Sequence, residues 1–166
     1  MIKYLSFALI SVWLSSCYSF KGISIPPDIN TFYVENFQNR ASNSPAGLEI
    51  EFRDELVNKV NSGSKLNLEE TNPDIEFRGD ISRFAVEAVA PQRNDDVATT
   101  AFNRLTIAVR VNYINNANKE EDWEQSFSFF ADFESTTDLS NVQDDLIDII
   151  FTQILEDIFN KAFTNW

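Results

Sequence analysis

Two segments of this chain alternate so regularly between apolar and polar residues that a long antiparallel hairpin is the natural way to fold them. Leu105, Ile107, Val109, Val111 and Tyr113 fall on one face of the first, and Trp123, Phe127, Phe129, Ala131 and Phe133 on one face of the second. Successive strand side chains point to opposite faces, so each segment buries one face and wets the other. The polar stretch Asn115–Glu121 joins them. An isolated hairpin is marginal in water, so its apolar face requires a second layer.

Helices supply that layer. Leu48, Phe52, Leu56 and Val60 recur at every fourth position, with Glu49, Arg53, Asp54 and Lys59 elsewhere, which predicts an amphipathic helix to about Asn61. Ser44 and Pro45 read as its cap and first turn, and Gly63 as its stop. A final helix reaches about Phe163, opened by Ser140 and Gln143 as a capping box. Its main stripe is Ile147, Phe151, Ile154, Ile158 and Ala162, while Ile149, Phe159 and Phe163 fall to one side and need a further neighbour, either the first helix or a partner protein.

The remaining strands are shorter, except one. Thr31–Phe37 and Leu66–Leu68 read as strands, and a longer strand starts after Pro73 with Ile75, Phe77, Gly79 and Ile81 on one face. Phe84, Val86 and Ala88 continue on the other parity, a slip that predicts a bulge near Ser82 and Arg83. Ala90–Thr100 is a polar connection. The order predicts an α+β fold: a two-layer α/β sandwich, with two helices on one face of an antiparallel-rich mixed sheet of four or more strands.

The first sixteen residues stand outside this pattern. Lys3, an apolar run from Tyr4 to Trp13 and then Leu14-Ser15-Ser16 before Cys17 read as an export signal ending in a lipobox, with lipid attached to Cys17. The run is too short to cross a bilayer, which takes about 20 residues. The expected domains are therefore a signal peptide, 1–16, removed on processing, and a single lipid-anchored domain, 17–166. A strand-like run around Tyr18, Phe20, Ile23 and Ile25 follows the cysteine at once, so no long tether separates domain from membrane.

Charge and composition exclude much chemistry. The mature chain carries 12 basic against 26 acidic residues, a formal −14, which argues against nucleic-acid partners. Histidine is absent and Cys17 is the sole cysteine, so imidazole bases, thiol nucleophiles and nitrogen or sulfur zinc sites cannot be built. No catalytic residue, metal site or cofactor is expected. The enzymatic alternative is carboxylate-only cleavage of cell-wall glycan, but Glu120, Glu121, Asp122 and Glu124 cluster at the hairpin turn with no apolar pocket to raise a pKa.

The run Cys17-Tyr18-Ser19-Phe20-Lys21-Gly22-Ile23-Ser24-Ile25-Pro26-Pro27 resembles the start of the LptE family of lipopolysaccharide-assembly lipoproteins, in its Bacteroidetes branch. Phe32–Phe37, Leu48–Val60 and Asp74–Ala88 with its Ile-Glu-Phe-Arg-Gly core extend the likeness in pattern. Tyr18 departs from the glycine that many members carry after the cysteine. The resemblance implies a non-enzymatic outer-membrane lipoprotein on the periplasmic side, held to outer-membrane lipid through Cys17. It would plug and support the lipopolysaccharide-export β-barrel, an LptD-like protein, and bind lipopolysaccharide. The alternative is an envelope interaction module of the same fold without glycolipid contact.

Candidate contacts lie on the sheet face away from the helices. A symmetric hairpin sets Arg104 across from Asp132 and Arg110 across from Ser126. With Arg83, these guanidinium groups could meet phosphate or acidic sugar, or they could simply neutralise neighbouring carboxylates. Phe102 and Phe130 break the polar character of that face. Together with Ile149, Phe159 and Phe163 they are the candidate contacts to a protein partner.

Overall fold

The computed structural model describes residues 25–89 and 101–164. Cys17, the strand expected around Tyr18 and the connection Ala90–Thr100 lie outside them. In chain order the elements are β1 (Thr31–Val34), β2 (Gln38–Asn39), α1 (Leu48–Gly63), β3 (Asn67–Leu68), β4 (Ile75–Val89), β5 (Phe102–Asn115), β6 (Trp123–Glu134) and α2 (Gln143–Phe163). Short 3₁₀ turns at Lys119–Glu121 and Leu139–Asn141 precede β6 and α2.

The sheet runs β3-β1-β4-β5-β6, with β2 added beside β4. β3, β1 and β2 pair in parallel, while β4, β5 and β6 form the antiparallel half. The predicted hairpin forms in the expected register: Arg104 faces Asp132 and Arg110 faces Ser126. The predicted bulge is also present, as a register shift between Ile81 and Arg83. It moves Phe84 to the helix side and Arg83 to the outer side, so one extra residue serves both layers.

Both helices cover one face of this α+β sandwich. Phe37, Phe52 and Phe151 form an edge-to-face chain with centroids 5.1 and 5.0 Å apart, locking the chain before β2 to α1 and α1 to α2. Leu48, Phe52, Leu56 and Val60 are all buried, as their spacing predicts. Each fully buried side chain of this size contributes roughly 1.5–3 kcal/mol.

The element ends differ from the sequence reading. α1 begins at Leu48 after Gly47, whose φ of 85° makes the turn, and has no side-chain cap. Ser44 instead bonds Asn39, its Oγ receiving Nδ2 at 2.8 Å, because that pair holds the β2–α1 connection. Gly63 is the last helical residue rather than a left-handed stop, and the Ser64 N–H donates to the Val60 carbonyl. Before α2, Asp138 caps the 3₁₀ turn by accepting from the Ser140 N–H at 3.1 Å, so the expected capping box does not form. The strand expected over Thr31–Phe37 breaks after Val34, and Phe37 turns into the core.

Candidate functional site

The outer sheet face gathers cations in an otherwise acidic protein. Of the six arginines among the described residues, Arg78, Arg83, Arg104 and Arg110 stand on it, supplied by β4 and β5. The registers place Glu87, Arg104 and Asp132 in one row of this face, Ala85, Thr106 and Phe130 in the next, then Arg83, Ala108 and Ser128, and Asp80, Arg110 and Ser126 beyond. Between the arginines lie the small residues Ala85, Ala108 and Ser128, with Thr106 and the exposed ring of Phe130.

The arginines differ in how fully they are engaged. Arg104 makes a bidentate pair with Asp132 at 2.7 and 2.9 Å and lies flat over Phe130, 3.6 Å from the ring centroid. The hydrogen bonds with Arg104 hold the Asp132 carboxyl below its usual range. Arg83 meets Glu87 at 2.5 Å, and Arg78 lies between Glu76 and Glu35. Arg110 is the loosest, its Nη1 reaching Asp80 Oδ1 only at 4.0 Å.

Two acceptors beside Arg110 were not anticipated from sequence. Asp80 Oδ2 and Asn112 Oδ1 are buried with no hydrogen-bond partner, and Asp80 as a whole is 7% exposed. A buried carboxylate oxygen without a donor is costly. Sequence offers no signal for it, since Asp80 reads as an ordinary outward residue of an alternating strand.

The candidate partner contacts separate sharply. Phe102, Phe130 and Ile149 are exposed, at 41, 43 and 54%. Phe159 and Phe163 are buried within the chain: Phe159 lies against Gly63 of α1, and Phe163 against Phe77 and Phe159. The first helix is thus the neighbour of Phe159, β4 that of Phe163, and Ile149 stays exposed.

The acidic hairpin turn is a structural knot. Asp122 Oδ1 accepts from the Asn115 N–H at 2.6 Å, and Glu121 accepts from the side chains of Asn115 and Asn118. A second acidic group, Glu51, Glu55 and Asp148, joins α1 to α2, with one carboxylate oxygen from each lying within 4.8 Å of the others. Burial, and then the charges of Glu51 and Asp148, push the Glu55 carboxyl up to about 7. Asp122 and Glu124 line a shallow cleft of about 430 Å³ with Arg78, Asn112 and Tyr113, while Glu51, Glu55 and Asp148 line neither it nor the larger clefts along β4 and around Pro26.

With this geometry in view, the family model described as "LptE: Lipopolysaccharide-assembly" matches residues 29–162. No curated protein is significantly similar in sequence. Among solved structures, a neuraminyllactose-binding hemagglutinin homologue from Helicobacter pylori shares 12% identity at a TM-score of 0.56, covering 87% of this chain and 89% of its own. A Chlamydia trachomatis protein shares 13% at 0.52, covering 81% and 98%. A Xanthomonas campestris protein shares 10% at 0.51, covering 82% and 87%. At such identities the likeness extends to the fold alone. No helix among the described residues is long and apolar enough to cross a membrane.

Proposed function

Since this chain belongs to the LptE lipopolysaccharide-assembly family, we propose that it is a non-enzymatic lipoprotein that plugs and supports an LptD-like outer-membrane barrel and contacts lipopolysaccharide in transit to the outer leaflet. The carrying observation is the family match over residues 29–162, which takes in both helices and the whole sheet. In this reading Cys17 bears the lipid and holds the domain on the periplasmic side of the outer membrane.

The outer sheet face is the glycolipid surface, with Arg83, Arg104 and Arg110 as its cations. Arg110 has the most donors to spare. A guanidinium fork suits phosphate. Phe102, Phe130 and Ile149 are the exposed contacts left for the barrel wall.

Purifying the full-length lipoprotein from its own membranes in mild detergent tests the assignment. A stoichiometric outer-membrane barrel of the lipopolysaccharide-export type, identified by mass spectrometry, is the expected companion. A clean preparation with no barrel would overturn the plug reading and favour another envelope role.

A further inference from the structure

β4 is paired unequally along its length. β1 and β2 lie beside Ile75–Phe77 and beside Asp80 and Ile81, and the Arg40 N–H donates to the Ile81 carbonyl as the last bond of that ladder. The chain then leaves the sheet at Ala41–Asn43, where Asn43 has a φ of 61°. Beyond Ile81, β4 continues for eight residues, Ser82–Val89, bonded to β5 on one side and to no strand on the other among the described residues. At about 3.3 Å per residue, that is roughly 26 Å of open edge.

A cleft of about 510 Å³ lies along this edge, lined by Arg40, Asn43, Ser82, Arg83, Val86 and Leu139 among others. It occupies the place a continuation of β2 would take. Its two sides differ in chemistry. On the outer side stand Arg40, Arg83 and Glu87; Arg83 is paired with Glu87 at 2.5 Å, while Arg40 meets only the Gln38 amide oxygen, at 2.9 Å, and no carboxylate among the described residues. On the helix side stand Phe84, the half-buried Leu139 and Val86, the last 42% exposed.

Open strand edges are normally blunted by proline, lysine or inward charge. Ser82–Val89 contains no proline and no lysine, and its helix-side residues Phe84, Val86 and Ala88 are apolar. The other long edge, β6, is guarded differently: Glu124, Asp132 and Glu134 line its outer side. Like charges directly opposite disfavour self-pairing there. The two edges therefore select for different neighbours.

We propose that the Ser82–Val89 edge of β4 is a strand-addition site for an extended segment of a partner polypeptide that alternates acidic and aliphatic residues, its carboxylates meeting Arg40 and sharing Arg83 with Glu87, and its aliphatic side chains covering Val86 and Leu139. Backbone bonds to the edge would supply affinity, and the alternation would set register and face. This site is separate from the glycolipid surface and does not depend on that reading.

The test uses the full-length lipoprotein in detergent and a hexapeptide alternating glutamate and valine. Hydrogen exchange should show saturable slowing confined to residues 82–89, with β6 unaffected. Arg40→Gln should weaken peptide binding about tenfold, the loss of one charge-assisted contact. The same peptide methylated at alternate backbone nitrogens should not slow exchange, since it lacks the donors a strand must offer. Three results would overturn the proposal: amides 82–89 already protected without peptide, equal binding of the methylated peptide, or slowing at β6 instead of β4.

Discussion

The carbonyl oxygen of Arg110 comes within 2.0 Å of the point where a Cβ on Gly79 would stand, and the Phe37 ring closes the other side at 2.6 Å. Gly79 is therefore required between the β5 backbone and the Phe37 ring, through absence of a side chain rather than unusual backbone angles. Gly79→Ala must part the two central strands or displace Phe37 from Phe52. The expected loss is about 3 kcal/mol, measured as a lowered urea midpoint.

Asp74 staples the start of β4 to the start of β1. Its Oδ2 accepts from the Asn30 N–H at 2.7 Å and from the Thr31 N–H and hydroxyl at 2.9 and 3.0 Å, which holds its carboxyl below the usual range. Asp74→Ala strands these donors and should cost about 2 kcal/mol. Because the folded pKa is depressed, this contribution is present above the unfolded value of 3.8 and lost as pH falls through the folded one. Acid titration of wild type and variant should converge at low pH.

Glu55 predicts the opposite slope in a different window. Its carboxyl is raised from 4.5 to about 7, so the folded chain binds the proton more tightly than the unfolded chain. Stability linked to this group is greatest below about 4.5 and declines as pH rises through about 7. The thermal midpoint should be higher at pH 5 than at pH 8, and Glu55→Gln should flatten that difference. An unchanged slope in the variant would assign the effect elsewhere.

Ile149 and Phe159 both lie outside the main stripe of α2, yet they should respond oppositely to truncation. Phe159→Ala removes a buried ring against Gly63 and should cost roughly 3–5 kcal/mol. Ile149→Ala should leave the midpoint of the isolated lipoprotein unchanged while reducing recovery of its membrane partner. Co-purification yields from the two variants, normalised to folded protein, distinguish these roles.

Substituting Arg83, Arg104 and Arg110 together by glutamine should lower lipopolysaccharide photo-crosslinking normalised to folded protein; loss of the solvent-accessible Arg83 and Arg104 pairs should leave the thermal midpoint unchanged, whereas loss of Arg110 takes the cation from buried Asp80 and should lower it. Arg110→Gln alone should carry most of the loss. Equal crosslinking by wild type and triple variant would return these residues to a purely structural role.

The alternation of β5 and β6, the four-residue spacing of α1 and the parity slip at Ser82 are local patterns. Side-chain direction in a strand or helix depends on backbone geometry alone, so faces, register and bulge could all be read before folding. The residues Phe20, Gly22 and Pro26-Pro27 likewise carried the family resemblance without any contact being known. Caps were less legible: Ser44 and Ser140 have suitable chemistry, but competing neighbours, Asn39 and Asp138, claimed their hydrogen bonds.

What the chain order alone determined, then, was the class of fold and its wet and dry faces. Tertiary packing decided which flanking apolar residues of α2 were buried, because only the position of Gly63 shows that α1 leaves room for the Phe159 ring. It also decided that Asp80 is buried without a full set of partners and that β4 outruns its neighbours among the described residues, leaving its edge open there. These depend on distances between segments far apart in sequence, which no local periodicity encodes.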